Sequence, residues 1–318
     1  MNTYTNIPSL DLNDFKSSDA NLKNHFVQKI GQAYEEVGFV AIKNHGLSDK
    51  LTDKLYEEIR AFFSLPTDIK LKYEKTELNG QRGYVSFGRE KAKGFKDSDL
   101  KEFWHFGQEL QPSDPLINQY EPNVICEELP EFNKVGREVF RILEETGLYI
   151  LRSLAIHLGL KENYFDKKVK GGNSILRAIH YPPIKQEPKG AVRAAAHGDI
   201  NLITILMGAS AKGLEIQTRQ GNWIAVTALP EQVIVNIGDM MSRLTNDKLH
   251  SSIHQVTNPP KEEWSQPRFS IPFFMHPRSE MSLNCLESCI NSKNPKQYTD
   301  ITAGDFLEER IKELGLKK

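Results

Sequence analysis

Residues 197–199 read His197-Gly198-Asp199, and they are followed far downstream by His254 and by the run Arg268-Phe269-Ser270-Ile271-Pro272-Phe273-Phe274. On a strand or its direct extension, side chains two residues apart lie on the same face, so His197 and Asp199 can reach one ion. His254 can join them only if several intervening strands return the chain, as in a jelly roll, where two sheets enclose a pocket. The pattern predicts a mainly β fold with flanking helices and a double-stranded β-helix core, of the jelly-roll or cupin-like type.

The sequence after Gly171-Gly172 supports this fold, because it breaks into short runs rich in β-branched and aromatic residues separated by turns. The predicted strands are 175–181, 202–207, 214–218, 223–226, 233–237, 253–256 and 268–275. We therefore expect residues 171–280 to form the jelly-roll core. Residues 1–160 are expected to form a helical or mixed region packed on it, and 281–318 a terminal loop and helix.

Apolar residues at helical spacing predict four helices outside the core. The first ends at Gly38 and precedes a short buried strand, 39–42. The second begins after a Ser48 cap and ends before Pro66, the third is a long helix between 132 and 156, and the fourth covers 305–314 behind Thr302. No proline- or glycine-rich linker separates the two halves, so we expect them to share one core.

Composition argues against several classes of binding partner and several cellular compartments. The 41 lysines and arginines balance 42 aspartates and glutamates, so no global field favours nucleic acid or anionic lipid. Three cysteines, Cys126, Cys285 and Cys289, have no C-x-x-C spacing, which favours a reducing compartment over a disulfide framework. The first twelve residues lack a basic segment followed by an apolar run, and no stretch has membrane-spanning length. We expect a cytoplasmic protein.

Two imidazoles and one carboxylate form the facial triad that suits non-haem iron(II) and leaves metal positions open for substrate and dioxygen. A zinc hydrolase can use the same donors. His250 lies four residues before His254, and spacing alone cannot choose between them, because both would face the same side of a strand. Five other histidines are interpreted as structural: His25, His45, His105, His157 and His276.

Arg268 and Ser270 lie two apart on a predicted strand, so both side chains should project into the same interior. A buried guanidinium needs an anionic partner, and its planar fork matches a carboxylate. The pair therefore predicts a bound dicarboxylate. An internal aspartate or glutamate is the alternative partner.

These residues resemble those of the iron(II) and 2-oxoglutarate-dependent oxygenases, in the branch that includes isopenicillin N synthase. The similarity extends to Val37-Gly38-Phe39-Val40, Asn44-His45-Gly46 and Val235-Asn236-Ile237-Gly238-Asp239, in the expected order around His254 and 268–274. Two departures are Gly198, where many relatives have threonine, and Ile179, where many have asparagine. The first leaves the ligands unchanged, whereas the second removes one polar contact to the co-substrate.

The resemblance implies specific roles. His197, Asp199 and His254 would bind iron(II), which favours His254 over His250. Arg268 and Ser270 would hold the distal carboxylate of 2-oxoglutarate, whose other end chelates the metal. Tyr181 would also reach the co-substrate or the substrate carboxylate.

The implied activity is hydroxylation, or desaturation, of a small molecule with dioxygen and release of succinate and CO2. One alternative is an oxidase of the same fold that does not consume 2-oxoglutarate and uses Arg268 for the substrate carboxylate or an activating anion. Another is a jelly-roll sensor without catalysis. Stoichiometric succinate would separate the first two.

Candidate substrate residues come from a polar, glycine-rich stretch, 75–101, and the run after it. The stretch can be a lid or substrate wall, or a solvated connection, and it concentrates basic residues: Arg82, Arg89, Lys91, Lys93 and Lys96. Arg82, with Tyr84, is predicted to anchor an acidic or amino-acid-like substrate. Trp104 is predicted to line the pocket, with burial in the core as its alternative.

Overall fold

The computed structural model describes residues 7–90, 98–188, 190–208, 213–218, 221–226, 229 and 231–313. They form twelve strands and eight α-helices. The strands are β1 (Ser9–Asp11), β2 (Phe39–Lys43), β3 (Gly83–Val85), β4 (Glu102–Gly107), β5 (Ile175–Tyr181), β6 (Ala194–His197), β7 (Ile203–Met207), β8 (Leu214–Gln217), β9 (Trp223–Ala225), β10 (Gln232–Ile237), β11 (His254–Val256) and β12 (Arg268–Met275). The helices are α1 (Leu12–Lys16), α2 (Ala20–Glu36), α3 (Asp49–Phe63), α4 (Thr67–Leu71), α5 (Pro130–His157), α6 (Asp166–Val169), α7 (Asp239–Leu244) and α8 (Ala303–Glu313).

The strands form two sheets, in the order β1-β2-β10-β7-β12-β5-β4-β3 and β6-β11-β8-β9. All neighbouring strands pair antiparallel except β1 and β2, which are parallel. Residues of both sheets line one internal cavity, so the sheets enclose a space between them. This architecture confirms the predicted jelly roll with flanking helices.

Side chains alternate along β12, so that some residues line the cavity between the sheets and their neighbours pack in the hydrophobic core. Arg268 and Ser270 line the space between the sheets, whereas Phe273 lies on the opposite face and packs edge-to-face on Phe140 of α5 at 5.1 Å. The pairing of Arg268 with Tyr181 on β5 fixes this alternation. A shift of one residue would exchange the two faces.

Helix α5 is a single helix despite two internal glycines, which sequence propensity disfavours. A Cβ atom on Gly136 would lie 2.4 Å from the ring of Phe106, and one on Gly147 would lie 2.4 Å from Sδ of Met275. The glycines therefore permit the close approach of α5 to β4 and β12 of the larger sheet.

The amino-terminal region supplies β1–β4, which are half of the larger sheet. In the predicted division, residues 1–160 pack on a core that begins at 171, but these strands lie within the sheet itself. The continuous hydrophobic cluster that joins the amino-terminal helices to β5, β7, β10 and β12 agrees with the expectation of one shared core. The sequence does not predict β1, β3, β4 and β6, whereas it predicts β9 and β11, which are as short as β1 and β3.

The predicted helix caps appear in the structure. The Ser48 hydroxyl accepts a hydrogen bond from the Leu51 amide at 3.2 Å at the start of α3, and the Thr302 hydroxyl accepts one from the Asp305 amide at 3.2 Å at the start of α8. Helix α8 begins two residues before its predicted start. None of the helices in the described ranges combines the length and apolar character needed to cross a bilayer.

Candidate metal centre and adjoining cavities

Three predicted ligands converge between the ends of two strands of the smaller sheet. His197 ends β6 and pairs directly with His254, the first residue of β11, and Asp199 lies two residues beyond β6. Their ligand atoms all lie within 4.8 Å of one another. His250, the alternative candidate, lies outside this group and lines a separate cavity with Tyr298.

Hydrogen bonds orient the side chains of His197 and Asp199. The Nδ1 atom of His197 lies 2.6 Å from the carbonyl oxygen of Ala195, so Nδ1 carries the proton and Nε2 has a free lone pair. One carboxylate oxygen of Asp199, Oδ2, accepts hydrogen bonds at 2.7 Å from both Thr204 and Asn236. The other oxygen, Oδ1, lies 3.8 Å from Nε2 of His254 and is available to an ion. Sequence reasoning did not assign these orienting roles to Thr204 and Asn236.

The electrostatics favour a cation at this point. Burial lowers the pKa of His197 to about 4, so its imidazole is neutral. Burial alone would raise the pKa of the Asp199 carboxyl, but His254, His197 and the hydrogen bonds from Asn236 and Thr204 lower it. The site therefore offers two imidazoles and one ionised carboxylate, a donor set that suits iron(II).

Gly198 separates the first two ligands. A Cβ atom at this position would lie 3.0 Å from Oδ1 of Asp239 at the start of α7. The departure at Gly198 therefore permits close packing of the ligand segment against α7 and leaves the ligands in place.

A cavity of about 60 Å³ extends from this centre between the two sheets. It is lined by the triad and by all three residues predicted to hold the co-substrate: Tyr181, Arg268 and Ser270. Arg268 is only 1% exposed, and its guanidinium carbon lies 5.0 Å from the ring centroid of Tyr181. Ile179, the second departure, also lines the cavity and offers no polar contact there.

A second cavity, of about 310 Å³, begins at the same centre. It shares Lys101, Arg177, His197, Asp199 and Phe274 with the smaller cavity, so the two spaces meet beside the triad. Its size suits a small organic molecule. The polar stretch 75–101 contributes to its wall, as one of the two interpretations of that stretch anticipated, through Gly80, Gln81, Glu90, Asp99 and Lys101.

The three residues predicted to contact substrate do not line this cavity. Trp104 is fully buried on the other face of β4, with its ring 4.8 Å from Phe62 and 5.2 Å from Phe132. Tyr84, its partner on β3, is also in that core and donates to Glu102. Side chains alternate along β4, so Phe103 and His105 face the cavity on either side of Trp104. Lys101, which directly precedes β4, faces the cavity as well.

Arg82 is also misassigned as a substrate anchor. It is 1% exposed, and its guanidinium donates to Gln108 Oε1 at 2.7 Å, Asn173 Oδ1 at 3.0 Å and the carbonyl oxygen of Gln81 at 2.7 Å. These neutral acceptors fix it inside the fold. Arg89 pairs with Glu74 at 2.7 Å, and the predicted basic residues Lys91, Lys93 and Lys96 lie outside the described residues.

The jelly roll, the His-Asp-His centre and the paired cavities define a metal-dependent enzyme of the non-haem type. Residues 172–277 match the model of the 2OG-Fe(II) oxygenase superfamily, and residues 7–128 match the amino-terminal model of a non-haem dioxygenase in morphine synthesis. A proline hydroxylase from Petromyces alliaceus is 30% identical over 320 residues, with 96% of this chain and 98% of that protein covered. The chain belongs to the 2-oxoglutarate and iron(II)-dependent oxygenases.

Two solved structures show the same fold along nearly the whole chain. A 2OG-Fe(II) oxygenase family protein from Caulobacter crescentus has a TM-score of 0.87 and 38% identity, covering 96% of this chain and 98% of that one. A full-length Neurospora crassa protein, solved in complex with alpha-KG and thymine, has a TM-score of 0.85 and 29% identity, covering 98% of both chains. The protein is thus a non-haem iron(II), 2-oxoglutarate-dependent dioxygenase, with dioxygen as the other co-substrate.

Proposed function

We propose that His197, Asp199 and His254 hold the iron(II) of this dioxygenase. The observation that carries the assignment is the convergence of their ligand atoms within 4.8 Å at the meeting point of the two cavities. When bound, iron(II) and 2-oxoglutarate supply from dioxygen an oxidant that can replace a C–H bond of the substrate by C–OH. The contacts of Asp199 with Thr204 and Asn236 keep one carboxylate oxygen directed at the ion.

Arg268, Ser270 and Tyr181 hold the distal carboxylate of 2-oxoglutarate in this proposal. A guanidinium can bind a carboxylate through two parallel hydrogen bonds, and the hydroxyls of Ser270 and Tyr181 can donate further ones. These three residues line the smaller cavity and not the larger one, which supports the assignment. The complex of the Neurospora crassa protein with alpha-KG supports the same co-substrate.

The larger cavity holds the substrate, a small molecule that is hydroxylated. A proline hydroxylase among the relatives favours hydroxylation over desaturation. The chain's own contribution is to place one C–H bond beside the metal, since a displacement of about 1 Å can cost on the order of 100-fold in rate. His197, Asp199 and Phe274 border both cavities and thus define where that bond must lie.

Anaerobic titration with iron(II) and 2-oxoglutarate tests the assignment without a known substrate. A visible metal-to-co-substrate charge-transfer band is expected for the wild-type protein, followed on exposure to air by slow release of succinate. Alanine at His254 should abolish the band. A wild-type protein that binds iron(II) but gives neither band nor succinate would contradict the proposal and favour an oxidase that does not use 2-oxoglutarate.

The cysteines support a reducing compartment, such as the cytoplasm, for this activity. Cys126, Cys285 and Cys289 are all free and buried. Labelling of thiols in the unfolded protein, isolated without reductant, should therefore find three reactive groups. A lower number would contradict this assignment.

A further inference from the structure

The wall of the larger cavity consists of inward-facing positions from several elements. The strands contribute Phe103, His105, Ile175, Arg177 and Phe274, His276 follows β12, and α8 adds Leu307, Arg310 and Ile311. Most of this surface is apolar. The charged groups on it therefore decide which substrates can enter.

Every cationic side chain on the described part of this wall is already paired with a carboxylate of the protein. Lys101 Nζ lies 2.8 Å from both Glu90 Oε1 and Asp99 Oδ2. Arg177 Nη1 lies 3.3 Å from Glu90 Oε2, and Arg310 has an ion pair with Glu313 at 2.6 Å. A substrate carboxylate that approached Lys101 or Arg177 would have to displace one of these acids. Arg310 differs, because both side chains of its pair are 34% exposed and its buried Nε has no hydrogen-bond partner among the described residues.

That displacement is unfavourable because the central pair is withdrawn from water. The side chains of Lys101 and Glu90 are only 5% and 11% exposed. Moving Glu90 aside would leave a buried carboxylate without a counterion, which costs more than a new pair with the substrate returns. The part of the wall beside the triad, which includes Lys101 and Arg177, thus disfavours a carboxylate although it contains two cations.

Arg177 is also held in one orientation. Its Nε donates to Nε2 of His105 at 2.6 Å, and its guanidinium carbon lies 4.2 Å from the ring centroid of Phe103 and 5.2 Å from that of Phe274. Since arginine only donates, His105 must carry its proton on Nδ1, which lies 2.7 Å from the carbonyl oxygen of Gly80. This chain of contacts prevents Arg177 from swinging toward a ligand.

Among the described residues of the wall, three buried atoms have no hydrogen-bond partner: Nδ1 of His276, Nε of Arg310 and Oε2 of Glu90, and His276 is the uncharged one of the three. It is 7% exposed, and its Nδ1 has no hydrogen-bond partner among the described residues. Burial lowers its pKa to about 4, so the imidazole is neutral and can donate or accept. Its backbone amide and carbonyl groups bond to the Ser174 hydroxyl, which fixes the residue in place.

We propose that the larger cavity selects an uncharged, largely apolar substrate that carries a carbonyl or hydroxyl group for His276, and that it excludes carboxylates from its end beside the triad. The inference rests on the proposed function, because it takes this cavity as the substrate site. It replaces the expectation of an acidic or amino-acid-like substrate, which depended on Arg82. Ile175, Leu307 and Ile311 supply the apolar contacts.

Paramagnetic relaxation measures this selectivity without knowledge of the natural substrate. Manganese(II) replaces iron(II), 2-oxoglutarate is kept saturating, and ligand-proton relaxation is recorded for two matched series. The series are benzamide, benzoate and benzylamine, and 2-pyrrolidinone, cyclopentanecarboxylate and pyrrolidine. Only molecules close to the metal relax strongly.

The neutral member of each series should relax at least about 100-fold more per mole than its carboxylate, since displacing the paired acids costs several kcal/mol. Equal or stronger relaxation by a carboxylate or an amine overturns the proposal. So does the failure of both neutral molecules to approach the metal.

Variants test the cause of the selectivity. Glu90→Gln should free Arg177, leave Lys101 paired with Asp99 alone and raise benzoate binding about tenfold, and Asp99→Asn provides a second variant should the first not fold. Glu109→Gln removes an ion pair with Arg137 outside the cavity and should leave the selectivity unchanged. His276→Phe should weaken binding of both neutral molecules. Unchanged benzoate binding in a folded acid variant contradicts the mechanism, and so does unchanged binding of the neutral molecules in His276→Phe.

The iron(II) charge-transfer band separates failure of this inference from failure of the proposed function. A band together with benzoate binding by the wild-type protein would reject the substrate class and retain the dioxygenase assignment. Absence of the band would reject the site assignment itself.

Discussion

At the scale of the residue, the site depends on which side chains a strand directs inward. His197, Asp199 and Arg268 could be selected from the sequence because metal and carboxylate binding each require particular side chains at an even spacing. Trp104 could not be placed in the same way, since its strand was not recognised and a shift of one residue exchanges pocket for core. His276 gave no signal at all, because its role depends on the cavity beside it.

Alanine at His254 should abolish the activity, whereas alanine at His250 should leave it largely unchanged. The first substitution removes one of three ligands, and the second lies in a different cavity. We expect a loss of more than about 100-fold in 2-oxoglutarate turnover for His254→Ala. Retained turnover in His254→Ala with loss in His250→Ala would reverse the ligand assignment.

Lysine at Arg268 should weaken 2-oxoglutarate binding and leave iron(II) binding intact. Lysine keeps the charge but loses the bidentate fork, which is worth about 1.5–3 kcal/mol, or about 10–100-fold in affinity. Titration of the charge-transfer band measures the affinity directly. The matched control is Arg193→Lys, a buried arginine that does not line the smaller cavity, and an equal effect there would refute a specific role for Arg268.

At the scale of the element, helices with an apolar stripe and a cap were predictable, whereas strands β1, β3, β4 and β6 were not. Helix α3 and its Ser48 cap follow from local sequence, because the hydrogen bond that starts the helix spans three residues. Strands β3 and β6 are set by pairing with β4 and β11, which no local pattern reveals. The long β12 was found even though Pro272 lies within it and cannot donate to the ladder.

Valine at Gly147 should destabilise the fold, because its side chain would collide with Met275 where α5 crosses the larger sheet. We expect a loss of about 1–3 kcal/mol in the free energy of unfolding, measured by urea denaturation. Alanine at Gly208, where a Cβ atom meets no neighbour within 4 Å, is the control. Equal stability of Gly147→Val and the wild type would show that α5 does not need this close contact.

At the scale of the whole molecule, the amino-terminal region and the jelly roll form one body. Four strands from the first 107 residues complete the larger sheet, and Lys101, Phe103 and His105 line the larger cavity. A boundary between 160 and 171 could be drawn from the change in sequence texture. The local sequence pattern could not show that both sides of that boundary contribute strands to one sheet, because strand order depends on pairing between residues far apart in the chain.

Acid should destabilise the whole molecule through its buried carboxylates. Burial alone would raise the pKa of Glu90, but Arg177 and Lys101 outweigh it and hold the pKa well below its usual range. The stabilisation is thus complete above the unfolded pKa of about 4.3 and is lost as pH falls toward the folded pKa. Between these values each such group contributes up to about 1.4 kcal/mol per pH unit.

Urea denaturation at pH 7 and pH 3 checks this dependence. Glu90→Gln should be less stable than the wild type at pH 7 and should lose less stability on acidification. Glu109→Gln, at a partly exposed pair, should follow the wild type. A wild-type protein equally stable at both pH values would contradict the account.

The alternation along β12 ties catalytic competence to correct folding. If β12 paired one position out of step with β5, Arg268 and Ser270 would turn toward α5, and Phe273 would enter the smaller cavity. Such a mispaired molecule would bury the Arg268 guanidinium among aromatic rings and would lose the contact between Phe273 and Phe140. A long-lived but inactive conformer is therefore disfavoured, so the yield of folded protein should also be the yield of active enzyme.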